Sequence, residues 1–194
     1  MAADAARKRA TYADVLAAPP HMTAEVLDGE LHLMPRPARK HLRSASGLGA
    51  MLYMSFDAGV NGPGGGTILY EPELHLGPDP DILVADLGGW RSGRLVEKDE
   101  DEDPPFITVV PDWVCEILSP GTARVDRLKK MRIYARERIP HVWLCDPRER
   151  IVEVYRFGGP SYTLVGAYGG DEALTAEPFE AVTIPTSILW GQKK

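Results

Sequence analysis

Cysteine is scarce in this chain: Cys115 and Cys145 are the only two among 194 residues. Each lies in an apolar, strand-like run, so the expectation is two buried thiols in a reducing cytoplasm rather than a disulfide framework. No apolar run approaches the roughly 20 residues that a membrane-spanning helix needs. The N-terminal stretch MAADAARKRATYADVLAAPP has basic residues but no apolar segment behind them, which is not the pattern of a secretory signal. The five histidines and two cysteines show no metal-ligand spacing, which argues against zinc. The loop GPGGG lacks the Gly-Lys-Ser/Thr ending of a phosphate-cradling Walker loop. No internal repeat is visible.

What is present is globular in character, with 44% hydrophobic and 26% charged residues. The length suits one ordinary core, so a single domain over 1–194 is expected, with its core at about 24–184. The net charge is −6, which looks wrong for a nucleic-acid binder until its distribution is read. Residues 97–103 hold six acids and one lysine, leaving the rest of the chain at −1. Two stretches are locally basic: Arg36, Arg39, Lys40 and Arg43, then Arg124, Arg127, Lys129, Lys130, Arg132, Arg136 and Arg138. Such clusters are more often solvated helix faces than binding surfaces.

The pattern along the chain predicts a short helix at Thr11–Ala18 and a hairpin at Ala24–Met34 around the Asp28-Gly29 turn. His41, Ala45, Leu48, Leu52 and Phe56 recur at helical spacing and form one apolar stripe. Thr67–Leu76 and Asp81–Leu87 read as two strands. Gly88–Pro111 reads as a long irregular stretch, an acidic flap or insertion. Trp113–Leu118 reads as a buried strand, and Thr122 as the cap of a helix running to about Arg138. His141–Cys145, Ile151–Phe157 and Tyr162–Tyr168 form a meander. This order implies an α/β or α+β sheet with helices on its faces.

Glu116 stands out because WVCEIL is otherwise apolar on both faces, the pattern of a central strand. A carboxylate there needs a partner, either one of the nearby arginines or a bound cation. A second acid must come from DILVADL. Asp81 and Asp86 are five apart, so a regular strand points them to opposite faces. Asp81 sits at the Gly77–Pro80 turn, directly after Pro80, whereas Asp86 falls at a strand end, and Asp86 is the better candidate. Asp126, Lys130 and Tyr134 fall on one helical stripe; Leu128, Met131 and Ala135 fall on another. The ordinary reading of Asp126–Lys130 is an i, i+4 helix pair contributing a few tenths of a kcal/mol. Cys115 alternates with Glu116 to the opposite face and has no adjacent base, which argues against a thiol nucleophile.

The strings VLDGELHLMPRPARKH, DILVADL, VCEILSPGTARVDRLKKMRIYARERIPHVWLCDP and VEVYRF resemble the bacterial Uma-type nuclease family of the PD-(D/E)XK superfamily. The resemblance runs from about Glu25 to Ala181 and is most specific between Glu116 and Pro147. It implies a restriction-endonuclease-like αβββαβ core with an added β-meander. It also implies Asp86 and Glu116 as metal-binding and catalytic acids, with the Ile117 carbonyl as a further ligand. The family's Pro-Asp pair appears here as Ala85-Asp86. The superfamily's lysine, two residues after the glutamate, is replaced by Leu118. The resemblance points to Lys130 on the following helix instead, with Lys129 as the fallback. His41 and Glu25 match residues typical of the family and, with Asp126 and Tyr134, are accessory candidates.

The implied activity is Mg²⁺- or Mn²⁺-dependent hydrolysis of phosphodiester bonds in nucleic acid, DNA foremost, with the Arg124–Arg138 stretch holding the backbone. A homodimer follows by analogy with enzymes that cut two strands. The competing expectation keeps the fold without the activity, as a binding or assembly module. A third reading, a small-molecule hydrolase or carbohydrate binder using Trp90, Trp113 and Trp143, is weakened because tryptophans within strands are usually core.

Overall fold

The computed structural model describes residues 8–96 and 104–191; the acidic run 97–103 lies outside the described residues. Helix α1 (Tyr12–Leu16) begins where the Asp14 carboxylate accepts the Thr11 N–H at 2.7 Å. Strands β1 (Met22–Leu27) and β2 (Glu30–Pro35) form the expected hairpin. Its two turn residues, Asp28 and Gly29, have φ of 53° and 78°, the left-handed pair that suits a two-residue hairpin turn. Helix α2 (Arg39–Leu52) buries His41, Ala45, Leu48 and Leu52, as the stripe predicts. It ends in a π-helical turn at Tyr53–Asp57, where the glycine loop folds back. The N–H groups of Gly64, Gly65 and Gly66 donate to the carbonyls of Ser55, Asp57 and Phe56.

The next segment departs from the sequence-based expectation. The two strands expected at Thr67–Leu76 and Asp81–Leu87 are four: β3 (Thr67–Tyr70), β4 (Glu73–Leu76), β5 (Asp81–Val84) and β6 (Leu87–Trp90). The first break falls at Glu71-Pro72, where Glu71 takes φ 47° and Pro72 has no N–H to give a ladder. The second falls opposite, at Ala85-Asp86, and the Glu71 N–H donates to the Asp86 carbonyl across the gap at 3.1 Å. The long hairpin thus bends between two sheets. β4 and β5 pair in a four-stranded sheet of order β2-β1-β5-β4, while β3 and β6 pair in a six-stranded one. Gly88–Trp90, expected at the start of an irregular stretch, therefore lies in a buried strand. The described end of that stretch is also tied down, because Ile107 bridges Leu74 and Phe106 stacks on His75.

Strand β7 (Trp113–Ile117) lies between β6 and β8 (His141–Asp146), antiparallel to the first and parallel to the second. A parallel neighbour requires a crossover. It is built from α3 (Ala123–Val125), a π-helical turn at Asp126–Lys130, and α4 (Met131–Arg136). Thr122 occupies the cap position but makes no capping side-chain bond, contrary to expectation. The meander continues through β9 (Ile151–Phe157) and β10 (Tyr162–Gly169), giving the sheet order β10-β9-β8-β7-β6-β3. A short pair, β11 (Ala173–Leu174) and β12 (Ile184–Pro185), leads to α5 (Ser187–Trp190), which packs on α2.

Alternation along the central strands divides the core in two. Trp113, Cys115, Ile117, Trp143 and Cys145 face α2 and the C-terminal segment. Val114, Val142 and Leu144 face Ile133 and Tyr134 of α4 and the leucines of the smaller sheet. Trp90, Trp113 and Trp143 are all buried, so all three are core. Both cysteines are buried free thiols, and burial raises their pKa.

Candidate active site

The residues singled out from sequence meet at the end of β7. The β6–β7 ladder pairs Leu87 with Cys115, so one further step sets Asp86 opposite Glu116. Glu116 lies on the face of β7 turned toward α4, and Asp86 lies in the break between β5 and β6. That break explains why Asp86 and Asp81 part company. Asp81 is no exposed turn residue: it is 1% exposed, accepts the Asp28 N–H at 2.6 Å and pairs with Arg136 at the far end of β5.

Asp86 is held at both oxygens. His41 Nε2 lies 2.7 Å from Oδ1, and the Ile117 N–H donates to Oδ2 at 2.6 Å. The Glu116 carboxylate is 2% exposed, accepts the Tyr134 hydroxyl, and lies 3.3 Å from Lys130 Nζ. Lys130 is equally buried. Its ammonium donates to the Val84 carbonyl at 2.9 Å and lies 2.9 Å from Glu25 Oε1 and 3.8 Å from Asp126 Oδ1. Glu25 comes from β1 of the smaller sheet, is fully buried, and also accepts the Val84 N–H at 2.8 Å. Its second oxygen, like His41 Nδ1, has no hydrogen-bond partner among the described residues. Lys129, the fallback lysine, points elsewhere, donating to Glu30 at 2.8 Å and approaching His32 at 3.0 Å.

The two stripes of the crossover helix differ in burial. The polar residues Asp126, Lys130 and Tyr134 are its buried stripe, whereas Leu128 on the apolar one is 44% exposed. The i, i+4 pair of Asp126 and Lys130 is present at 3.8 Å, and both members are buried. Glu71, Ser119, Thr122 and the Val84 carbonyl were also not anticipated. Of these, only Glu71 had a signal in the sequence, its place before Pro72.

The electrostatics follow from burial. Four carboxylates (Glu25, Asp86, Glu116 and Asp126) share one lysine and one histidine. Desolvation raises the Glu116 pKa well above the carboxylate range; Lys130 opposes this, and the neighbouring acids add to it. Desolvation likewise pushes Asp126 up to about 6. The same acids hold the Lys130 ammonium in its charged form against desolvation, and Glu116 raises the Tyr134 phenol further. The group lines a cleft of about 210 Å³ with Arg36, Glu71, Ser119 and Thr122 on its walls. A larger cleft, of about 290 Å³ and walled by Phe56, Trp113 and Phe179, contains none of these acids.

This donor set fits one kind of cation. Among the described residues no group of three or more His, Cys, Asp or Glu side chains is spaced to cage a metal. Mg²⁺ seldom uses such a cage; it takes one or two carboxylates and keeps water and phosphate oxygens for the rest. Asp86 and Glu116, which both line the cleft, meet that requirement with hard oxygens.

The β3-β6-β7-β8 sheet with α2 and the crossover helix is a restriction-endonuclease-like core within a mixed α+β fold. A crystal structure described as "a putative nuclease belonging to DUF820 from Anabaena variabilis" superposes with a TM-score of 0.72 at 22% identity, covering 94% of this chain and 98% of that one. Residues 10–187 match the model of the Uma2 family, described as "Putative restriction endonuclease", and the chain belongs to that family. No curated protein matches the chain. No helix among the described residues is long and apolar enough to cross a membrane.

Proposed function

We propose that this protein is a divalent-metal-dependent nuclease that hydrolyses phosphodiester bonds of DNA in the cleft between Asp86 and Glu116. The observation that carries this reading is the excess of buried acid: four carboxylates around Lys130 and His41, with one Glu25 oxygen left without a donor. Uncompensated negative charge of this kind is costly unless it protonates or meets a cation. Membership of the family described above supports the same reading.

Asp86 and Glu116 would hold Mg²⁺ or Mn²⁺, with the Ile117 carbonyl as a further oxygen. The bound cation would lower the pKa of a water and polarise the scissile phosphate. His41 fixes the orientation of Asp86 through Oδ1, and the Ile117 N–H does so through Oδ2. Tyr134 locks one oxygen of Glu116. Lys130, kept charged by its acids, supplies positive charge where the phosphate becomes more negative, inside a cleft that weakens competing hydration. Water adds across one P–O bond and the departing oxygen leaves with a proton from solvent.

Calorimetric titration of Mn²⁺ into wild type, Asp86→Asn and Glu116→Gln, paired with a cleavage assay on plasmid DNA, tests the proposal. Binding and cutting lost in both variants support it. Leu118 in the lysine position favours the competing reading, an inactive nuclease fold. Wild type that neither binds the cation nor cuts would establish that alternative.

A further inference from the structure

The two basic stretches of the chain are paired to different degrees in the fold, and the difference locates a surface. In Arg124–Arg138 four of the seven cations are used internally, while Arg124, Arg132 and Arg138 have no carboxylate at ion-pair distance among the described residues. Arg127 pairs with Glu153 at 2.7 Å, Lys129 with Glu30, Lys130 with the buried acids, and Arg136 with Asp81 and Glu137. The other stretch is free. Arg36, Arg39, Lys40 and Arg43 are all exposed. Among the described residues none of the four has a carboxylate at ion-pair distance, and Arg36 makes only a 3.5 Å contact to the Pro20 carbonyl.

This stretch begins at the cleft. Arg36 lines it together with Pro37, Ala38 and His41. Arg39, Lys40 and Arg43 follow on the first turns of α2, within an arc of about 100° at 3.6 residues per turn, and Arg39 and Arg43 border a separate open pocket with Leu42 and Ile188. That arc lies away from His41, which turns inward to Asp86. The first turn of α2 holds no acid and its cap position, Ala38, has no side chain to satisfy the free N–H groups, so the helix adds its own positive end to the same rim. An acidic cleft with a cationic rim suits a polyanion whose one phosphate meets a metal while its neighbours meet fixed positive charge. On a chain of net charge −6, such a rim also directs a polyanion to the cleft and away from the rest of the surface.

We infer that the Arg36–Arg43 turn is the DNA-binding rim of this protein, holding backbone phosphates that flank the cleft, and that the Arg124–Arg138 stretch is not. The inference rests on the nuclease reading for its choice of DNA, and its test is independent of cutting. Fluorescence anisotropy of a short labelled DNA duplex, in EDTA and without divalent cation, is measured across a salt series. The variants are Arg39→Glu/Lys40→Glu and, as control, Arg124→Glu/Arg132→Glu. All four positions are exposed, so folding is expected to survive, and circular dichroism checks it. The first variant should bind at least tenfold more weakly at low salt. Its slope of log affinity against log salt should shrink by about 2, near 0.9 per lost phosphate contact. The control should stay within about twofold of wild type.

Equal weakening in both variants, no weakening in the first, or wild type that prefers a labelled RNA strand over the duplex would each overturn the assignment. Duplex binding that depends on Arg39 and Lys40 in a protein that never cuts would uphold the rim while removing the nuclease reading.

Discussion

The ammonium of Lys130 lies 2.9 Å from the carboxylate of Glu25, a contact that joins the crossover helix to a strand of the smaller sheet. The four-stranded sheet is thereby part of the site rather than an appendage. It supplies an acid to the lysine and, through the Val84 N–H and carbonyl, holds the break in which Asp86 sits. With Leu118 in the position two after Glu116, the lysine reaches the acids from the helix, and Glu25 fixes where it ends.

Lys130→Ala should therefore be among the most destabilising single substitutions, by roughly 3–5 kcal/mol, because buried acids lose their counter-charge. Urea unfolding at neutral pH measures it. The loss should shrink as the pH falls and Glu116 and Asp126 protonate; a loss that is small at pH 7 would contradict the buried cluster. A joint Glu25→Gln/Glu116→Gln/Lys130→Met replacement should recover much of the stability, since it removes both signs together.

Asp126 gives the metal-free protein a specific pH dependence. Burial raises its folded-state pKa to about 6, while an unfolded aspartate titrates near 4. Between these values the folded protein keeps a proton that the unfolded chain releases. This group's contribution to stability is thus full below about pH 4 and is lost as the pH rises through about 6. Asp126→Asn should flatten the stability profile across that window. An unchanged slope would show that Asp126 is ionised throughout.

Bound cation should act in the opposite direction. Mn²⁺ at a hundred times its dissociation constant stabilises a folded protein by about 2.7 kcal/mol. A rise in Tm with Mn²⁺, present in wild type and absent in Glu116→Gln, is expected at pH 7 and should fade toward pH 5, where protons compete for the carboxylates. A rise of equal size in the variant would place the cation elsewhere.

Gly62 packs against the π-helical turn, where an added Cβ would stand 2.5 Å from the Ser55 carbonyl oxygen. Gly62→Ala should destabilise by about 1–3 kcal/mol through overpacking. It should leave Mn²⁺ binding intact, because the loop follows the C-terminal end of α2, the opposite end from His41. Thermal unfolding with and without Mn²⁺ separates the two effects.

Much of this molecule is set by local sequence. Alternation in WVCEIL puts Cys115 and Glu116 on opposite faces, the Asp28-Gly29 pair makes its turn, and the α2 stripe buries the residues its spacing selects. These are short-range consequences of chain geometry, so a single sequence suffices to read them. The resemblance to a nuclease family likewise singled out Asp86, Glu116 and Lys130 before any geometry was known.

Tertiary structure decided the rest. Nothing in the periodicity of residues 67–87 marks the paired breaks that divide one hairpin between two sheets, because each half is a good strand and only pairing across the gap creates the bend. The buried side of the crossover helix was hidden for a related reason. A stripe of Asp126, Lys130 and Tyr134 is polar by composition, and only the acids converging on it from β1 and β7 make burial tolerable. Which basic residues stay free was also hidden, since it depends on where Glu153, Glu30 and Asp81 fall in space. The sequence by itself determined the elements and the chemical types available. The packing of two sheets decided which charges meet, because charge pairing is a long-range contact that no local pattern encodes.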